Sequence, residues 1–166
     1  MNDILFDLHG KTALVTGASS GLGHHFAHLL AERGAQVILT ARRGTLIEEA
    51  ADKIRSNGGT ALALVMDVTD ERAVANAFST AESQLGTINV VVNNAGIVIA
   101  EAAVDIDQSQ WERVVDTNLK GVWLVSREAG RRLARSKCGG SLINVASILG
   151  LRVAKGVSSY AISKAG

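Results

Sequence analysis

Tyr160 and Lys164 stand four residues apart, and Ser147 precedes the tyrosine by thirteen. On a helix, a spacing of four puts both side chains on one face. The three residue types together suit carbonyl chemistry. Reducing a ketone needs a hydride at carbon and a proton at oxygen. A phenol with the reference pKa of about 10 is a poor base at neutral pH, and a nearby ammonium favours its ionised form. A serine hydroxyl can hydrogen-bond the carbonyl oxygen and hold it beside the phenol. The pair alone leaves a second reading open, a tyrosine and a lysine that merely face each other on a surface.

A second group of residues suits an anion. Thr16-Gly17-Ala18-Ser19-Ser20-Gly21-Leu22-Gly23 lies between an apolar run and an amphipathic stretch. Gly17 permits a sharp turn. Gly21 leaves room for a pyrophosphate to approach the backbone. Gly23 allows the following helix to pack close to the strand. The unpaired N–H groups and the dipole at a helix start favour negative charge. The spacing is Gly-x-x-x-Gly-x-Gly rather than the commoner Gly-x-Gly-x-x-Gly, so a plain glycine-rich turn is the alternative.

These residues need elements to hold them. Thr12 to Thr16, Gln36 to Thr40, Thr60 to Met66, Asn89 to Asn93 and Leu142 to Ala146 read as strands, apolar almost throughout. Helices are predicted over Gly21 to Arg33, closed by Gly34, and over Gly44 to Ser56, stopped by Asn57, Gly58 and Gly59. Asp70 can cap a helix that runs to Leu85. Asp107 to Ser136 reads as a long helix with a break near its start, its apolar stripe running through Trp111, Val114, Val115, Leu119 and Val122. Cys138, Gly139 and Gly140 form a turn, and a last helix begins near Val157 or Ser158. Apolar strands separated by helices predict an α/β fold with a doubly wound, Rossmann-like parallel sheet and helices on both faces.

Composition excludes several classes of function. The formal net charge is +1, from 17 basic and 16 acidic residues, which gives no reason to expect nucleic acid or an anionic membrane. One cysteine, Cys138, rules out an intrachain disulfide and fits a reducing, cytoplasmic setting. The first ten residues lack the basic and long apolar regions of a secretory signal, and no apolar run approaches the length of a membrane helix. His24 and His28 are four apart on a predicted helix, a spacing that can hold a metal. No carboxylate or cysteine motif accompanies them, so a solvated helix face is the reading and no metal is expected.

The end of the second strand speaks to a nucleotide. A dinucleotide site that holds a ribose 2′-OH has an acid there. Here the segment reads Leu39-Thr40-Ala41-Arg42-Arg43, with alanine at the acidic position. Guanidinium groups pair with a 2′-phosphate, whereas a carboxylate would repel it. The expectation is NADP(H) over NAD(H), with Arg42 as the leading contact and Arg43 second. Two solvated arginines at a helix start are the alternative.

Taken in order, these motifs resemble the short-chain dehydrogenase/reductase family. The Thr16 to Gly23 loop is similar to its T-G-x-x-x-G-x-G, Asn93-Asn94-Ala95-Gly96 to its N-N-A-G, and Tyr160 to Lys164 to its Y-x-x-x-K. Asp67-Val68 resembles its adenine-contacting pair, and Asn118 and Ser147 fall where it has a catalytic Asn and Ser. The resemblance implies an oxidoreductase that moves hydride between NADP(H) and a ketone or secondary alcohol, with Tyr160 as general acid and base. It implies that Lys164 also bonds the nicotinamide ribose and that Asn118 organises a proton-carrying water chain. Tyr160, Lys164, Asn94, Ala95, Gly96 and the loop residues Ser19, Ser20 and Leu22 would then meet the cofactor. It implies a sheet order of 3-2-1-4-5 with two further strands missing, and a homodimeric or homotetrameric parent. On this reading residues 1–166 are one incomplete nucleotide-binding domain, a fragment expected to associate and to turn over little. The apolar Ile148-Leu149-Gly150-Leu151 hints at a substrate with hydrophobic surface, and Arg152 and Lys155 could meet an acidic group or water. A non-catalytic nucleotide-binding module or redox sensor is the alternative, although it would not need Asn118, Ser147, Tyr160 and Lys164 together.

Overall fold

The computed structural model describes residues 6–166. The reading of the N-terminus as free of a signal also concerns residues 1–5, which lie outside the described residues. The strands are β1 (Thr12–Thr16), β2 (Gln36–Ala41), β3 (Ala61–Val65), β4 (Val90–Asn93) and β5 (Ser141–Asn144). They form one sheet in the order β3-β2-β1-β4-β5, and every pairing is parallel. Leu14 at the centre lies opposite Ile38 on one side and Val91 on the other.

Side chains alternate across a strand, so the two faces of β1 and β2 carry two cores. On one face Ala13, Val15, Val37 and Leu39 meet Ala27 of α1 (Gly21–Glu32) and Ile47, Ala50, Ala51 and Ile54 of α2 (Gly44–Ser56). On the other, Leu14, Ile38 and Val91 meet Val74, Ala77 and Phe78 of α3 (Glu71–Leu85) and Val125 and Ala129 of α5 (Gly121–Ser136). This two-sided burial explains why the central strands are apolar at every position.

The edge strands differ. β5 reads as a buried strand, yet Leu142 and Ile143 are 43% and 48% exposed. Among the described residues nothing pairs with its outer side, and side chains at a sheet edge lose half their neighbours. Asp70 caps α3 as expected, accepting from the N–H groups of Arg72 and Ala73.

The long helix is built in three parts. Asp107 and Gln110 form a capping box that starts α4 (Gln108–Val115). A π-helical turn follows over Asp116–Lys120, and α5 continues from Gly121. The expected break is therefore a widened turn rather than an interruption. The extra residue in that turn shifts the helix face, which corrects the predicted stripe. Val114 is fully buried, but Trp111 and Leu119 are exposed, and the inward face runs through Asn118, Gly121, Leu124, Val125 and Ala129. The last helix, α6 (Ser158–Ala165), packs on α4, on the π turn and on a short 3₁₀ turn over Ile148–Gly150.

Candidate active site

The loop from Thr16 to Gly23 joins β1 to α1 at the carboxyl edge of the sheet. Gly17 has φ +68°, and a Cβ there would fall 2.8 Å from the Ala95 Cα. At Gly23 a Cβ would fall 3.0 Å from the Gly17 carbonyl carbon and collide with the Asn94 amide. Gly23 is thus required by the loop and Asn94, not only by helix–strand packing. Gly21 takes φ +59° with open space where a side chain would be. Ser20 caps α1 without a side-chain cap bond, and the first turn holds no acid. The positive end of that helix is left for an outside anion.

Thr16 ties this loop to the N-N-A-G segment. Its hydroxyl accepts from the N–H groups of Asn94 and Ala95, both at 3.0 Å, and the Asn94 amide donates to the Thr16 carbonyl at 3.0 Å. Between them opens a cavity of about 390 Å³. Gly17, Ser19, Ser20, Leu22, Arg42, Arg43, Asp67, Val68, Asn94, Ala95 and Gly96 all line it, whereas Gly21 and Gly23 of the same loop are not in its lining. Ala41, the residue at the expected acidic position, lines it too, as do Met66, Ile97 and Thr117, which carried no sequence signal.

The two arginines are held differently. Arg43 donates from Nη2 to the hydroxyls of Ser19 and Ser20, each at 2.7 Å. Arg42 is more loosely held, its Nη1 4.0 Å from Asp67 Oδ2. Ser19 and Ser20 are not basic, but their hydroxyls share a guanidinium and so join the same polar wall.

A second cavity, of about 620 Å³, adjoins the first and shares Leu22, Asn94, Gly96 and Ile97 with it. Ser147, Tyr160 and Lys164 line it together. The Lys164 ammonium sits 5.8 Å from the centre of the Tyr160 ring and donates to the Val145 carbonyl at 2.7 Å. Burial pushes its pKa below the usual lysine value. The Ser147 hydroxyl accepts from the Leu149 N–H, which leaves its own proton free to donate.

Asn118 is 3% exposed and lies in the π turn. Its Oδ1 accepts from the Ile97 N–H at 2.8 Å, and its Nδ2 donates to the Ile97 carbonyl at 2.9 Å and to the Ser163 hydroxyl at 3.0 Å. Both amide hydrogens are therefore committed. The side chain clamps the wall of both cavities to α6, and Ser163 is a partner that the sequence did not single out. Isolated π turns occur often at functional sites. This one aims an amide inward from a helix whose neighbouring turns pack apolar surface.

His24 and His28 pack with ring centres 4.6 Å apart and ring planes tilted by 51°. Among the described residues no group of three metal-ligating side chains is found, and no helix is long and apolar enough to cross a membrane. Cys138 is exposed and unpaired.

A parallel sheet in the order β3-β2-β1-β4-β5 with helices on both faces and a glycine loop at its first crossover defines a doubly wound, Rossmann-like α/β protein. The sequence profile described as short chain dehydrogenase matches residues 11–166. A 3-oxoacyl-[acyl-carrier-protein] reductase from Pseudomonas aeruginosa is 37% identical over 159 residues, covering 96% of this chain and 64% of its own length. The cis-4-hydroxycyclohexanecarboxylate dehydrogenase of Sinomonas cyclohexanicum is 40% identical over 160 residues, 94% of this chain and 62% of that one. A crystal structure of a short-chain type dehydrogenase/reductase from Mycobacterium marinum superposes with a TM-score of 0.93 at 40% identity, covering 97% of this chain and 66% of the other. The chain belongs to the short-chain dehydrogenase family. It spans about two thirds of the length of these relatives.

Proposed function

We propose that the protein is an NADP(H)-dependent oxidoreductase that interconverts a ketone and a secondary alcohol. The observation that carries this reading is the convergence of Ser147, Tyr160 and Lys164 on one cavity that opens directly into the loop-bordered cleft. The cleft fits a dinucleotide. Its glycine loop leaves no room for a Cβ at Gly17, its helix end is uncapped by any acid, and cationic side chains stand where a 2′-phosphate would lie. Gly17, Gly21 and Gly23 would hold the pyrophosphate, Asp67 and Val68 the adenine, and Arg42 and Arg43 the 2′-phosphate, the latter with Ser19 and Ser20. The bound nicotinamide supplies or accepts the hydride.

The protein's own residues handle the oxygen. The Ser147 hydroxyl donates a hydrogen bond to the carbonyl oxygen and fixes it beside Tyr160. The Tyr160 hydroxyl transfers its proton to that oxygen as the carbonyl carbon becomes tetrahedral, and takes it back in the reverse direction. Lys164 places positive charge near the ring as negative charge develops on the phenol oxygen. The Asn118 amide positions Ile97 and α6, since its hydrogens are already committed. One relative is named for a 3-oxoacyl group and the other for a hydroxyl-bearing ring. A keto group and a hydroxyl are the two ends of the proposed reaction. A cytoplasmic setting and a homodimeric or homotetrameric parent belong to the same reading; the exposed Trp111, Leu119 and Trp123 support the latter.

The test is cofactor-dependent ketone reduction with NADPH and NADH compared. NADPH should be preferred, and Ala41→Asp with Arg42→Ala should move the preference toward NADH. A starting protein that already prefers NADH would remove the argument from the end of β2.

A further inference from the structure

The last rung between β4 and β5 is built from side chains as well as backbone. Asn93 and Asn144 lie opposite each other in the register, each the final residue of its strand. Asn93 is 2% exposed, and both hydrogens of its amide are committed. Its Nδ2 donates to the Asn144 Oδ1 and to the Ser126 hydroxyl of α5, each at 2.9 Å. Asn93 shares its face of β4 with Val91, which packs with Leu14 and Val125 in the core beneath α3 and α5. A buried amide in such a place is costly unless it is fully paired. Asn144 is exposed and makes no such demand on its own account.

Two groups of the reaction depend on this rung. The Val145 N–H donates to the Asn93 carbonyl at 2.9 Å, one step beyond the strands. The carbonyl of the same Val145 accepts the Lys164 ammonium at 2.7 Å. Ser147 follows, and among the described residues neither it nor Ala146 makes a backbone bond to β4. The place of Ser147 is therefore inherited from the rung before it. Asn93 and Asn144 line neither cavity, so any effect they have on the reaction passes through Val145, Lys164 and Ser147. The next residue of β4's end, Asn94, bonds instead to Thr16 of the glycine loop. One asparagine thus serves the cofactor cleft and its neighbour the end of β5.

Resting on the oxidoreductase reading above, we infer that Asn144 is a positioning residue for the reaction. Its side-chain oxygen, held by Asn93 and through it by Ser126, sets where β5 ends and so where Ser147 and the Val145 carbonyl stand. The role needs an acceptor at this position rather than an amide, because Asn144 contributes only Oδ1 to the network.

Asn144→Leu keeps the size of the side chain and removes the acceptor, whereas Asn144→Asp keeps the acceptor. Leu142→Ala weakens the same strand on the same face and is the control for stability alone. On the full chain, kcat and KM are measured for cyclohexanone and ethyl acetoacetate with NADPH. NADPH affinity is read by titration without ketone, and Tm is recorded for every variant. Asn144→Leu should lower kcat by at least about tenfold, because a small displacement of a catalytic group is enough for that. It should weaken NADPH binding by no more than about threefold. Asn144→Asp should recover most of the lost kcat. Leu142→Ala should lower Tm while its kcat stays within about twofold of wild type. If Asn144→Leu does not fold, Asn144→Ala carries the same expectation. A smaller loss of kcat, an aspartate variant no better than the leucine one, or an equal loss in Leu142→Ala would each overturn the inference. Failure of the parent reading looks different: wild type itself does not bind NADPH or reduces neither ketone, and the positioning role falls with it.

Discussion

Gly150 sits in the 3₁₀ turn after Ser147, and its backbone lies directly against the end of α6. A Cβ built there falls 2.8 Å from the Lys164 carbonyl carbon, closer still to the carbonyl oxygen, and 3.2 Å from the Ala165 nitrogen. These are backbone atoms, so no side-chain rotation relieves the clash. Ordinary contact begins near 3.4 Å, so Gly150→Ala must separate the two elements by at least about 0.6 Å. Lys164 rides on that shift, and its 2.7 Å bond to the Val145 carbonyl has little slack. Overpacking of this kind costs roughly 1–3 kcal/mol, which for a chain of this size lowers Tm by about 2–12 °C. Misplacing a catalytic group by about 1 Å can cost roughly a hundredfold in rate. The expected result is a kcat reduced between about tenfold and a hundredfold, with a smaller loss of NADPH affinity because the glycine loop lies elsewhere and only the Lys164 contact is displaced. Gly139→Ala is the control, since a Cβ there meets nothing within 4 Å. Wild-type kcat and Tm in Gly150→Ala would refute the claim that this contact sets the position of Lys164.

Two further outcomes follow from side chains away from the cavities. Arg132 bridges α5 to α3, pairing with Glu82 at 2.7 Å and Glu128 at 2.6 Å while about a fifth exposed. Arg132→Ala strands two partly buried carboxylates and should cost about 2–4 kcal/mol in urea unfolding, with Arg132→Lys recovering only part because an ammonium lacks the fork; a loss under about 0.5 kcal/mol would place this cluster with ordinary surface pairs. His28 has its pKa lowered from 6.5 by burial first and then by His24, with His25 and Lys53 also lowering it and Glu32 opposing. Its neutral form stabilises the fold above pH 6.5, and that contribution is lost as pH falls through the depressed folded value. Thermal melts between pH 7 and pH 5 should therefore show a smaller fall in Tm for His28→Asn than for wild type, and equal falls would contradict this.

The parallel sheet and the glycine loop were legible in the residues because parallel strands buried on both faces must be apolar throughout, and because Gly17 and Gly23 answer to backbone geometry; the strand order came from the family resemblance. The edges were less legible. β5 has the residues of a buried strand, and only its place in the sheet exposes Leu142 and Ile143. The form of the break in the long helix, a π turn, was not legible for a related reason. A stripe through Trp111, Val114, Val115, Leu119 and Val122 assumes a constant pitch, and one extra residue near Asn118 rotates Leu119 outward. Within the site, residue type marked Ser147, Tyr160 and Lys164, but not Thr117 or Ile97, which contribute surface and backbone groups. Nor could it show that Arg43 would bind Ser19 and Ser20 while Arg42 stood near Asp67.

The central claim is that Tyr160 moves the proton in a reaction whose hydride partner binds independently of it. Tyr160→Phe removes one oxygen and leaves the ring, the helix and the glycine loop in place. NADPH titration and steady-state ketone reduction on wild type and variant test this most directly. The account predicts unchanged NADPH affinity within about twofold and a kcat lowered by at least about a hundredfold, in the range expected for loss of a general acid. Near-normal kcat in Tyr160→Phe would contradict it.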